Sequence, residues 1–125
     1  MEKRIIIINS FNKTLFQLIR KIESFLDKKV LEELSFLRNK LATLKNTNPE
    51  FLIKSTCSYF TTYSDKIMTR DESFFTNPSF ISSQIPSEFI DVVNLICKSY
   101  CRADQLEKDM IYNDIMGLLE YSIQY

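Results

Sequence analysis

The sequence predicts an all-α fold, a compact single-domain bundle of about five helices with a possible short extended N-terminal arm, and three observations point there. Apolar residues recur at helical spacing through most of the 125 residues, one glycine is present in the whole chain, and breaker clusters divide the periodic segments. With so little glycine, the positive-φ turns that hairpin-rich β folds and phosphate-cradling loops depend on must be scarce. At this length one core, spanning residues 1–125, buries most of what folding can bury.

Residues 1–9 contain the one β-like run, Ile5-Ile6-Ile7-Ile8, which is either a docked N-terminal arm or the ragged start of the first helix. The first helical face runs Phe11, Leu15, Leu18, Ile19, Ile22, Phe25, Leu26, with Asn9 or Ser10 able to cap it. A second, Leu31, Leu34, Leu37, Leu41, Leu44, stops at Lys45 and the breakers Asn46-Thr47-Asn48. The short joint at Asp27-Lys28-Lys29 makes the two antiparallel neighbours. Asn48-Pro49-Glu50 opens the third helix, with Asn at the cap, Pro where its missing N–H costs nothing and an acid in the positive first turn. Its face, Leu52 or Ile53, Cys57, Phe60, Ser64, Ile67, extends by the same spacing through Asp71 and Phe74. Residues 76–85 have no helical period and are expected as an irregular loop. Pro86 opens a fourth helix with core face Phe89, Val92 or Val93, Ile96, Tyr100; a fifth starts near Ala103-Asp104 and carries Ile111, Ile115, Leu118, Leu119 and Ser122.

Composition excludes much chemistry. Histidine is absent, removing the commonest general base and metal ligand and every Ser-His or Cys-His triad. No P-loop or dinucleotide fingerprint exists. Cys57, Cys97 and Cys101 fall short of a four-ligand zinc site, and Cys97 with Cys101 at i, i+4 is poor disulfide geometry, so the thiols are read as free and no cofactor or metal is expected. Glu32-Glu33 and Asp71-Glu72 are adjacent pairs whose side chains diverge by about 100° on a helix, unsuited to a shared substrate. The chain is therefore read as not an enzyme. No apolar run is long enough to span a bilayer, and no secretory leader is discernible, which places the protein in a reducing compartment. Sixteen basic and sixteen acidic residues cancel, so neither nucleic acid nor a membrane is expected as partner. Residues 1–50 nevertheless carry ten basic and six acidic residues, and 51–125 six and ten, giving halves of +4 and −4. Either the halves neutralise each other in the fold, or the molecule is dipolar and meets a charged partner or a second copy.

The stretch TRDESFF, residues 69–75, sets three ionisable residues against two phenylalanines. On a continuous third helix Asp71 points inward between Arg70 and Glu72 and needs a partner such as Arg38 or free N–H groups, making Asp71 and Arg70 a structural joint. A solvent-facing helix end and a functional acid are the alternatives. Phe74, Phe75 and Phe80 border or occupy the irregular stretch; they either fold over the bundle or, with Ile5, Ile6, Ile7 and Ile8, contact another protein.

The ordered blocks FNKTLFQLIRKIESFL, LKNTNPEFLIK, SDKIMTRDESFF and DMIYNDIMGLLEY together resemble a family of small α-helical proteins encoded by large nucleocytoplasmic DNA viruses. Asn48-Pro49 and the Ile67-Met68-x-Arg70-Asp71-Glu72-x-Phe74-Phe75 block carry most of the likeness; Tyr112 stands where that pattern has tryptophan. The resemblance implies a viral protein of virion or infected-cell cytoplasm and brings no catalytic residue. The function expected is a non-enzymatic helical protein-interaction module, a virion-associated or assembly component bound to viral structural proteins or to itself. The alternative is a helical modulator or inhibitor of host or viral machinery.

Overall fold

A computed structural model of the protein describes residues 2–24, 28–76 and 87–125. Among these residues every regular element is an α-helix: α1 (Glu2–Glu23), α2 (Lys28–Thr47), α3 (Phe51–Thr62), α4 (Ser64–Met68), α5 (Glu72–Thr76), α6 (Ser87–Arg102) and α7 (Gln105–Gln124). The all-α class holds, with seven helices among the described residues where about five were expected. Phe25, Leu26, Asp27, the expected loop beyond Thr76 and Phe80 lie outside the described residues.

Of the two readings of Ile5–Ile8, the start of the first helix holds and the extended arm does not, for they belong to α1. β-Branched residues lose only a few tenths of a kcal/mol in a helix, and here the run prolongs the core stripe by one turn. Ile8 is buried and precedes Phe11, Leu15, Leu18, Ile19 and Ile22, all buried, at steps of three, four, three, one and three. Packing decides against propensity.

α1 runs antiparallel to α2, as Glu23 meets Arg38, Phe16 meets Lys45 and Asn12 meets Pro49. It also runs antiparallel to α7, since Arg4 reaches Tyr125 and Lys21 reaches Asp114. This α1–α7 pairing is the most extensive in the fold, and α7 packs on α3 and α4 as well. α6 closes the core against α2 and α5. Leu34, Leu37, Leu41, Leu52, Ile53, Ile67, Phe89, Val92, Leu95, Tyr100, Ile111, Leu118 and Leu119 join the α1 stripe in one apolar core.

Helix ends follow local chemistry. Asp104 caps α7 in a reciprocal box: its carboxylate accepts from Glu107 N–H (2.8 Å) while the Glu107 carboxylate accepts from Asp104 N–H (3.0 Å). Asn48 Oδ1 accepts from Glu50 N–H (3.2 Å), shaping the turn into α3.

The third helix is corrected as well, for it is three short ones. Arg70 adopts φ 53°, the one positive φ among the described residues. Arg70 N–H donates to Ile67 O (3.1 Å) and Asp71 N–H to Lys66 O (2.9 Å), the pair of bonds that closes a helix on a left-handed residue. Glycine normally stands there.

Candidate interaction surfaces

With the chain turned at Arg70, Asp71 does not enter the core. Its Oδ1 accepts from Ser73 N–H (3.0 Å) and Ser73 Oγ–H (2.6 Å), capping α5. The Ser73 hydroxyl is the main cause holding the Asp71 carboxyl below its ordinary 3.8. Lys66 stands 3.7 Å away. Arg38, offered as its partner, instead binds Glu23 through both carboxylate oxygens at 2.7 and 2.6 Å.

Arg70 is anchored from three sides. Nη2 lies 2.6 Å from Asp109 Oδ1, Nε donates to the Tyr100 hydroxyl (3.5 Å), and the guanidinium stacks 4.7 Å over Tyr112. Tyr100 in turn donates to Glu72 Oε1 (3.2 Å). The Arg70 bond depresses the Asp109 carboxyl, and burial, first among its causes, raises the Tyr100 hydroxyl. Every ionisable side chain of TRDESFF thus has a partner inside the protein: Arg70 ties the end of α4 to α6 and α7, whereas Asp71, expected inward, caps α5 at a partly exposed helix end.

Phe74 and Phe75, taken from sequence as possible partner contacts, are 7% and 4% exposed. Phe75 stacks on Tyr100 at 5.2 Å and meets Tyr112 edge-on; Phe74 meets Tyr63 and Tyr59. They are core residues, because the α5 cap aims them inward. The Ile run is split by its helix: Ile8 is buried and Ile7 half-buried, whereas Ile5 and Ile6 are 57% and 62% exposed. Ile123 of α7, at the same end of the bundle, is exposed as well. Arg4, Glu50 and Tyr125 form a closed polar cluster at this end.

The three thiols are free. Cys97 is buried, and burial pushes its thiol up to about 11; Cys101 is exposed and Cys57 half-buried. Among the described residues no three Cys, Asp or Glu side chains gather as metal ligands, and no helix is long and apolar enough to cross a membrane.

Two hollows remain. One, of about 60 Å³, is enclosed by core side chains including Phe11, Tyr59, Phe74 and Cys97. It is well below the roughly 150 Å³ that admits benzene, so it is packing slack. The other is a groove of about 500 Å³ on the α1–α2 face, ending at Pro49, into which Lys13, Arg20 and Lys45 project among the amides of Asn9, Gln17 and Asn46. No carboxylate lines it. Its floor includes Asn12, 4% exposed, whose Nδ2 donates to Pro49 O (2.9 Å) and whose Oδ1 has no partner. Sequence reading missed this groove, although its signal was present: no acid occurs between Glu2 and Glu23 or between Glu33 and Glu50.

No family model matches the chain, and neither a curated protein nor a solved structure is detectably similar to it.

Proposed function

We propose that this chain is a non-enzymatic helical protein-interaction module, a virion-associated or assembly component of a large DNA virus, whose contact surface is the first turn of α1. The observation carrying this reading is the exposure of Ile5 and Ile6, at 57% and 62%, on a helix whose other face is committed to the core. Two adjacent branched apolar side chains in water gain free energy when a partner covers them. The neighbouring polar groups Arg4, Glu50 and Tyr125 satisfy one another and leave Ile5 and Ile6, together with Ile123, as the exposed apolar groups of this end. No catalytic residue is assigned, since the depressed carboxylates Asp71 and Asp109 serve a cap and an ion pair.

The test is the double variant Ile5→Ser/Ile6→Ser in the full chain. Exposed positions of this kind change stability by about 0.5 kcal/mol or less, so melting should hold. Retention at fixed stoichiometry in purified particles should fall. Retention unchanged in the variant overturns the surface, and wild-type protein found only in infected cytoplasm overturns the structural role in favour of a modulator of host or viral machinery.

A further inference from the structure

We infer that Cys97 and Cys101 form a two-coordinate site for a soft monovalent cation, Cu(I). This site is separate from the Ile5–Ile6 surface and does not depend on it. Both cysteines line one notch of about 190 Å³ between α6 and the end of α5, whose wall is completed by Thr76, Asn94, Lys98 and Arg102. The Cys101 Sγ–H donates to Thr76 O at 3.8 Å, which holds that sulfur on the α5 side of its helix. Cys101 is exposed, and Cys97, 6% exposed, meets the same notch one helical turn earlier.

Spacing selects the chemistry. Residues four apart on a helix hold their Cβ atoms about 5–6 Å from each other, beyond the roughly 3.5–4.5 Å that a disulfide needs. Both thiols are accordingly free. Two metal–thiolate bonds of about 2.3 Å set end to end span about 4.6 Å. The pair is too wide to close on itself and wide enough to close on an ion.

Ligand number selects the ion. Zinc closes on four donors, and among the described residues no third Cys, Asp or Glu joins the two thiols. The sequence-based expectation of no metal rested on that four-ligand requirement, which a cation satisfied by two soft sulfurs does not share. Charge agrees. Binding releases one proton from each thiol to solvent, forms two S–Cu bonds and moves no electron, so two thiolates and one monovalent cation leave a complex with one net negative charge. Lys98 and Arg102 stand in the same wall and offset it. A divalent ion would leave a neutral complex beside two cations, with no charge for them to balance.

The probe is Cu(I), kept reduced with ascorbate under argon and offered to the full chain as its coloured bathocuproine disulfonate complex. Wild type and Cys57→Ser should each withdraw one copper per chain and bleach the complex. Cys101→Ser, at an exposed position, should bind at least about a hundredfold more weakly, because loss of a ligand costs no less than loss of the groups that support one. Cys97→Ser should lose as much, and the exposed variant keeps the test decisive where the buried one fails to fold. Lys98→Glu/Arg102→Glu should weaken binding by about threefold or more. The inference is overturned by absent withdrawal of copper, by Cys101→Ser binding as tightly as wild type, by loss of the site in Cys57→Ser, or by one copper shared between two chains. Unchanged binding in Lys98→Glu/Arg102→Glu, or displacement of the copper by equimolar Zn(II), overturns it as well.

Discussion

The ion pair between α1 and α7 should respond unequally to loss of its two members. Lys21 Nζ sits 3.1 Å from Asp114 Oδ1 and 3.0 Å from Oδ2. The Asp114 side chain is 11% exposed and that of Lys21 36%. Removing the lysine leaves a nearly buried carboxylate without its countercharge, and a fully buried pair broken in this way loses about 3–5 kcal/mol. Water reaches the lysine side of this pair, so the expected cost of Lys21→Met is about 2–3 kcal/mol. Removing the charge from the aspartate leaves a lysine that water can solvate. Asp114→Asn keeps shape and one acceptor and should cost about 1 kcal/mol. At about 3–5 °C per kcal/mol for a chain of this size, the difference of about 1–2 kcal/mol should separate the two melting temperatures by about 3–10 °C, with Lys21→Met the lower. The double variant Lys21→Met/Asp114→Leu replaces the pair by apolar contact and should recover most of the loss. Urea denaturation at pH 7 measures all three. Equal costs for both single variants, or a double variant no more stable than Lys21→Met alone, would refute a pair whose acid is the buried partner.

Other outcomes follow from particular contacts. Gly117→Ala should stabilise by about 0.5–1 kcal/mol in thermal melts, since a Cβ there meets Thr14 Cγ2 at 3.4 Å, ordinary contact, while helix propensity improves. Asp104→Ala should cost about 1 kcal/mol by removing one half of the α7 capping box. With the carboxyls of Asp71 and Asp109 both depressed below 3.8, their stabilisation is fully present above that value and is lost as pH falls through the lowered folded values. The melting temperature should hence be level from about pH 5 to 7 and drop below about pH 4. A thiol reagent applied to native protein should modify Cys101 readily and spare Cys97, whose thiol burial pushes up to about 11, until denaturant is added.

What the sequence made legible was what side-chain periodicity encodes. The faces of α1, α2 and α7 were readable because Leu15, Leu18, Leu34, Leu37, Leu41, Ile111, Ile115 and Leu118 recur at the helical period and are buried. One choice left open and one failure have the same physical origin, a local preference overruled by something outside the window. Four isoleucines favour a strand in isolation, yet Ile8 finds a core partner only in a helix continuous with Phe11. The spacing of Phe60, Ile67 and Phe74 suits one long helix, yet Arg70 enters a conformation that its residue type disfavours by about 1 kcal/mol or more. Asp109, Tyr100 and Tyr112, at least thirty residues away in sequence, hold it there. The groove went unseen because it belongs to two helices at once, and neither run alone is strongly basic.

The pairing of α1 with α7 also governs the order in which the molecule can be assembled. α1 emerges from synthesis with Phe11, Leu15, Leu18, Ile19 and Ile22 facing outward, and its principal partner, α7, follows only after the chain from Glu23 to Gln105 has been made. Contacts spanning nearly the whole sequence raise contact order and slow folding relative to bundles whose neighbours are adjacent. During translation α2 can shelter one side of that stripe, leaving the α7 side open until Gln105–Gln124 has emerged. Nascent chains should depend on chaperones until that moment, and truncation within α7 should aggregate where an equal truncation of an outer helix would merely loosen the fold.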